Sequence, residues 1–413
     1  MTQVGTPKDS LRKLEAMAVS TDTFPQVDED FLVTTMSKLA KVPTVVPMGW
    51  ETFMEPDDPK LVHYVQEVIR PELDRLGVRN ILDVPRNNLV VELGTGEIDD
   101  ALLIQNYTVV QHHNLMEDPH SGKVGNARAH GDDRPAVFGQ GVSQSKAHQA
   151  VMLGVLKALQ ASDLTIRGKL YWAVNNEGLS SHHCSDAILD HLEHKPSFGV
   201  IQLGTGMRLS LGNRGRVDVN VHVEGKAAHS STPQEGLSAI EGASRAMDRL
   251  RAMTWEDTHP QLGGRQALPY KVRYEPLAPH TLPSDAYIAV DRRLLPGDDP
   301  DAATDEVRAQ LGDLAPWRTE VSRGYFMLPS MVDADNAWVQ DLQASIAEVR
   351  GKPADTVYGQ GAFDAGGPTA RGVPTIMYGA SGGEWPTGID FVPIADAMDE
   401  AGALARLIAR RLF

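Results

Sequence analysis

The stretch that most constrains this chain is Leu170-Tyr-Trp-Ala-Val-Asn-Asn-Glu-Gly-Leu-Ser-Ser-His-His-Cys-Ser-Asp186. Leu170–Val174 is short, apolar and without alternation, the pattern of a strand buried on both faces of a parallel sheet. It stops abruptly at Asn175, Asn176 and Glu177. In open α/β sheets ligands collect at the carboxyl ends of such strands. The segment therefore delivers two amides, a carboxylate, two imidazoles (His182, His183) and the single thiol, Cys184, to the edge where chemistry is expected. The plainer reading is a strand-to-helix turn capped by Ser180 or Ser181. For Cys184 it is a small buried apolar side chain rather than a nucleophile beside His183.

The same strand-helix order recurs on both sides. Asp28–Lys41 and Asp58–Leu76 have helical spacing behind an acidic cap, with Pro71 expected to kink the second. Asn80–Val84 and Asn88–Leu93 form a strand pair, and Ala101–Gln105 is a further strand. Residues 114–143 carry no periodicity, and a loop of that length is usually functional. A helix follows at Lys146–Leu159, then the Leu170 strand, a short helix at Asp186–Leu192 and a strand at Gly199–Leu203. At Asn213-Arg-Gly215 the pattern changes. Val217, Val219, Val221 and Val223 alternate with Asp218, Asn220, His222 and Glu224, the period of a half-exposed strand in an open sheet. Helices at Leu237–Met253 and Pro300–Leu311 and strands at Lys271–Glu275, Tyr287–Arg292 and Trp317–Tyr325 complete an α+β module. The α/β order then resumes, with helices at Ala337–Arg350 and Ala395–Leu412 and strands at Thr356–Tyr358 and Pro374–Tyr378. The expected fold class is α/β: a mostly parallel sheet flanked by helices, with an inserted α+β lid. Residues 1–27 form an N-terminal arm with a short helix at Ser10–Val19, 28–212 and 327–413 the α/β domain, and 213–326 the insertion.

Composition narrows the function. At 413 residues, 41% apolar and 23% charged, the chain has the make-up of a globular protein of two domains. Its formal charge of −16 argues against nucleic acid or an anionic membrane as partner. One cysteine excludes an intrachain disulfide, and the N-terminus lacks the apolar core of a signal peptide. No apolar run approaches the roughly 20 residues of a membrane span. A cytoplasmic protein with a small-molecule substrate is expected.

Six motifs in order carry a resemblance: Gly139-Gln-Gly141 with Lys146, Asn176-Glu-Gly178, Asn213-Arg-Gly215, Gly225-Lys-Ala-Ala-His229 with Pro233, Asp291-Arg-Arg293 with Pro296-Gly297, and Gly359-Gln-Gly-Ala-Phe-Asp364 before Gly372-Val-Pro374. From about residue 28 onward the chain resembles the co-catalytic metallopeptidase family of acetylornithine deacetylase, succinyl-diaminopimelate desuccinylase, carboxypeptidase G and aminoacylase. The resemblance implies a metal-binding α/β domain with an inserted lid that often dimerises, and hydrolysis by two zinc-type ions with a glutamate base. Carried over by position, the ligands are mostly gone. The His-x-Asp pair falls on Asn106 and Thr108, the bridging aspartate on Gln144, and the catalytic glutamate on Asn176. The next acidic ligand falls on Leu203 and the C-terminal histidine on Trp385. Glu177 alone is kept.

The standard dinuclear site is therefore expected to be absent. In one reading a single zinc- or manganese-type ion has moved to a site built from His112, His113, Glu177 and His183, with His148 and His182 nearby. In the other there is no metal, and Glu177 in an apolar pocket is the acid or base. Asn106, Gln144, Asn176, Asn213, Arg293 and Trp385 are candidates to hold the substrate. The resemblance implies that His229 reaches a partner's site and stabilises the oxyanion, and that Arg293 closes on the substrate. The arginine that often follows the aspartate matching Asp364 is absent, Gly366 standing in its place, which weakens the case for α-carboxylate recognition. The expected activity is hydrolysis of an amide-type C–N bond in a small molecule by a homodimer. The alternatives are a ligand-binding pseudoenzyme and an enzyme that forms an amide or lactam.

Overall fold

The computed structural model describes residues 26–50, 53–111, 116–176, 181–386 and 388–413. The proposed helix at Ser10–Val19, together with His112, His113 and Glu177, lies outside the described residues.

Helix α1 (Glu29–Ala40) starts where Asp28 accepts the Phe31 N–H at 3.0 Å. The helical run α2 has three parts, Pro59–His63, Tyr64–Ile69 and Arg70–Arg75. Its middle is wound as a π-helix, and that looser turn accommodates Pro71, which has no N–H to give. Strands β1 (Ile81–Val84) and β2 (Asn88–Leu93) form a hairpin whose turn places Arg86 and Asn87 at φ 68° and 56°. Strand β3 (Ala101–Tyr107) runs two residues beyond its predicted end. The stretch read as one long loop contains β4 (Val124–Asn126) and β5 (Pro135–Phe138). Next come α3 (Ala147–Gln160), β6 (Lys169–Asn175), α4 (His183–His191), β7 (Phe198–Gln202) and β8 (Leu209–Asn213).

The insertion then supplies β9 (Gly215–Glu224), β10 (Ala228–His229), α5 (Ala239–Arg251), β11 (Thr258–His259), β12 (Gly263–Gly264), β13 (Gln266–Glu275), β14 (Thr281–Leu282), β15 (Asp285–Leu294), α6 (Pro300–Leu311) and β16 (Arg318–Met327). The chain returns through β17 (Ser330–Met331), α7 (Ala337–Arg350), β18 (Thr356–Gly359), α8 (Gly366–Ala370), β19 (Thr375–Tyr378), β20 (Phe391–Pro393) and α9 (Ile394–Leu412).

The main sheet has nine strands in the order β1-β2-β6-β3-β7-β19-β8-β17, with β18 also on β8. Its centre, β6-β3-β7-β19, is parallel, as uninterrupted apolar strands require when helices cover both faces. Helices α1, α3, α7 and α9 pack Leu32, Leu153, Leu342 and Leu404 into one core with Leu102, Trp172 and Val200. Strand β20 pairs with β5, and β5 with β4, in a separate sheet. In the insertion the four strands are antiparallel in the order β13-β15-β9-β16. The four alternating valines of β9 meet Ala286, Ile288 and Val290 of β15 and the buried faces of α5 and α6. Burying each such valine contributes about 1.5 kcal/mol or more. The opposite face of this sheet carries the polar half of the alternation.

Candidate functional site

The carboxyl ends of β3, β6 and β7 bring the matched positions together, but as packed structure. Asn106, Gln144, Asn176 and Leu203 are all buried. The Trp172 indole N–H donates to Asn106 Oδ1, and Gln144 Oε1 accepts the Gln111 N–H at 2.9 Å. Asn176 gives its backbone N–H to Asn88 Oδ1 at 2.9 Å and its side-chain Nδ2 to the carbonyl of Asn87. Among the described residues Asn106 Nδ2, Thr108 Oγ1 and Asn176 Oδ1 keep no partner. Leu203 and Trp385 share one apolar cluster with Tyr107, Phe363 and Met377.

The helix that carries Gln144 is held from below. Gly141 sits at φ 86°, where a Cβ would lie 2.3 Å from Val110, so glycine is required. Asp390 accepts the N–H groups of Gly141 and Ser143 at 2.7 and 3.2 Å, and burial pushes its carboxyl up to about 6. Lys146 is fully buried, donates to Thr44 Oγ1 at 2.8 Å and lies 3.5 Å over the Tyr64 ring. Burial holds its ammonium well below its usual value.

The two histidines read as neighbours of the relocated metal site, His148 and His182, each have protein partners on both ring nitrogens. His148 Nε2 donates to the Ser143 carbonyl at 2.9 Å, and its Nδ1 faces both oxygens of buried Glu400 at 3.0 Å. Burial alone would lower its pKa, but the Glu400 charge and hydrogen bond raise it. Both ring nitrogens are engaged by protein partners, which leaves neither free for a metal. His182 Nε2 accepts the Leu328 N–H at 2.7 Å, which places the proton on Nδ1, where it is donated to Asp364 Oδ1 at 2.8 Å. Ser181 and His182 are both left-handed, at φ 63° and 66°, a conformation costing non-glycine residues about 1–2 kcal/mol each. They are held there because Phe326 and Leu328, where the chain leaves the insertion, donate to them. Cys184 is fully buried, in line with the apolar reading of the thiol. His183 is exposed.

On the insertion, Ser231 donates its backbone N–H to His229 Nδ1 at 3.2 Å, so the neutral ring of this exposed residue carries its proton on Nε2. Arg293 pairs with Asp291 at 2.7 Å and reaches the Gln360 carbonyl at 3.5 Å. Asn213 is buried and donates to the Arg214 carbonyl at 2.8 Å. Arg214, missed by the sequence reading, gives its Nε to the Leu262 carbonyl at 2.6 Å, and burial together with the neighbouring Arg293 charge lowers its pKa. Also missed was a cleft of about 830 Å³ over the polar face of the β13-β15-β9-β16 sheet. Trp50, Phe53, Ser181 and His183 line its far side. The alternation along β9 marked this face, but period two cannot distinguish a face that meets water from one that meets another part of the chain.

Comparison with known proteins follows this geometry. The M20 peptidase dimerisation domain matches residues 211–319. The uncharacterized protein YgeY of Escherichia coli K12 is 22% identical over 262 residues, a match spanning 61% of this chain and 61% of that protein. The di-peptidase Dug1p of Saccharomyces cerevisiae superposes with a TM-score of 0.72 at 14% identity, over 96% of this chain and 98% of that one. An M20 family metallo-carboxypeptidase of Sulfolobus solfataricus gives 0.72 at 15% identity, over 92% and 99%. This chain has the M20 peptidase fold.

The sequence resemblance implies a two-ion centre. Such a centre needs carboxylates and imidazoles converging on each ion. Here the matched positions hold amides already hydrogen-bonded within the protein, a leucine and an indole packed together. These donors do not fit a pair of zinc-type ions. Among the described residues no three His, Cys, Asp or Glu side chains converge on a point that could hold a metal. Likewise, no described helix is long and apolar enough to cross a membrane.

Proposed function

We propose that this chain is a hydrolase of an amide-type C–N bond in a small molecule, with Glu177 as its acid or base. The observation that carries the reading is the placement of the cleft: Ser181 and His183, just after Glu177 in sequence, line its wall. The unpaired Asn106 Nδ2 and Asn176 Oδ1 remain for a substrate reaching the strand ends. The solved neighbours include a di-peptidase and a carboxypeptidase, which supports amide chemistry as the class. Either no metal takes part, or a single ion is held by Glu177 and His183 with His112 or His113. We draw the lid at 213–326 and infer a cytoplasmic homodimer through it. Edge strand β13 leaves Leu268, Val272 and Tyr274 exposed, an apolar edge that a second copy would cover. In that dimer His229, with Nε2–H outward, would donate to the oxyanion across the interface. The test is turnover of a panel of N-acyl amides by wild type and Glu177→Gln, with and without chelator. Loss in Glu177→Gln with retained folding is expected. Chelation separates the single-metal from the metal-free form.

The packing of Leu203 and Trp385 favours a second reading, a ligand-binding dimer that has lost the chemistry. It gains if no panel member turns over while ligands still raise the melting temperature.

A further inference from the structure

The cleft has a shape and a charge that point to what it binds. Its floor is the β13-β15-β9-β16 sheet, whose register sets Asn220, Ala289 and Ser322 side by side across three strands. These small side chains keep the middle of the floor low. Two stacked columns flank it. One follows the neighbouring row across the sheet, where the Arg273 guanidinium of β13 lies 4.8 Å from the Trp50 ring and 4.5 Å from Tyr287 of β15, which itself stacks on His222 of β9 at 4.7 Å and 8°. On the β16 side Phe53 stacks on Tyr325 at 4.8 Å and 23°. Trp50 and Phe53 come from outside the insertion, so the two columns also join the roof of the slot to its floor. Charge completes the picture: Arg216, Lys271, Arg273 and Arg323 line the cleft against only Asp218 and Glu320, in a chain whose formal charge is −16.

We propose that this cleft is a recognition site for a planar anionic group, an aromatic or heteroaromatic acid. This deepens the hydrolase reading, and rests on it for placing the group on the substrate. A flat ring fits a low floor between aromatic walls, where offset stacking is favourable. Guanidinium groups hold its acid while stacking on the rings beside it, which an ammonium does less well. The volume falls within the range of small-molecule sites.

Isothermal titration of the full chain with 2-naphthoate, 2-naphthamide and cyclohexanecarboxylate tests it. Naphthoate is expected to bind saturably and at least tenfold tighter than the neutral amide or the non-planar acid. Arg273→Ala is expected to weaken it tenfold or more, and Arg273→Lys, which keeps charge but not the flat stack, by a smaller factor. Ser322→Trp fills the floor from an exposed position and should abolish binding without removing a cation. Should Arg273→Ala fold poorly, Ser322→Trp carries the test alone. Equal affinity for the three probes, no binding of naphthoate, or indifference to both Arg273→Ala and Ser322→Trp overturns the proposal. Naphthoate binding without turnover of any aryl-acid amide removes the hydrolase reading and keeps this one. Turnover unaffected by Ser322→Trp does the reverse.

Discussion

The strand ends and the lid cleft lie in one molecule and have been built by opposite rules. At the strand ends Asn106, Thr108, Gln144, Asn176 and Leu203 are buried, the three amides bonded to the protein, and Leu203 packs with half-buried Trp385 in an apolar cluster. Over the lid sheet, charged and aromatic side chains face an open volume. A cluster of carboxylates without a dication repels itself and must protonate or be replaced. Amides, a leucine and an indole at those positions gain more from packing and hydrogen bonds than unneutralised carboxylates would. The lid face stays open, where charged and aromatic groups can meet a ligand.

That contrast can be broken most sharply by restoring an acid. Leu203→Asp would bury an unpaired carboxylate among Tyr107, Phe363 and Trp385, at an expected cost of about 3–5 kcal/mol. Urea unfolding with and without zinc measures it, and zinc should not recover the loss. A stable variant that gains tight zinc binding would mean the centre is still poised for metal.

A smaller effect is expected where the chain leaves the insertion. His182→Ala leaves the Leu328 N–H and the Asp364 carboxylate without partners, for about 2–3 kcal/mol in the same assay. A loss under about 0.5 kcal/mol would show that this buried node does not hold the insertion's return strand.

Third is Lys146. Burial depresses its folded pKa well below the unfolded value of 10.5, so between those two values the unfolded chain holds the extra proton. Stability therefore rises with pH across that window. Lys146→Met should flatten the rise and add about 1–2 kcal/mol near neutrality. Unfolding midpoints at about pH 7 and about pH 9 check both. An unchanged slope would place the proton elsewhere.

The smallest stability effect belongs to the cleft. Ser322→Trp changes an exposed side chain over open volume and should shift unfolding by less than about 0.5 kcal/mol while ligand binding changes. A large destabilisation would make the cleft floor part of a packed core and erase the contrast.

Much of this was legible in the residues. The alternating valines of β9 gave a one-sided sheet, and the helices at Pro300–Leu311 and Ala337–Arg350 fall where their caps and apolar spacing put them. Strand β8 was passed over because its residues lie at the change of pattern before Asn213-Arg-Gly215, and its partners β17, β18 and β19 come more than a hundred residues later. The strands β4 and β5 were hidden for a similar reason, since β5 pairs with β20 far along the chain. In the site, position-by-position matching singled out Asn106, Gln144 and Asn176, but which amide atoms are spent on Trp172, Gln111 and Asn87 is a fact of packing. The roles of His148 and His182 depend on which nitrogen carries the proton, and only their partners decide that.

Counting metal per chain tests the central claim most directly. Purified protein loaded with zinc or manganese, dialysed and assayed by elemental mass spectrometry should hold at most one ion per chain. Two ions per chain, released together by chelation along with any amide hydrolysis, would contradict the replacement of the two-ion centre.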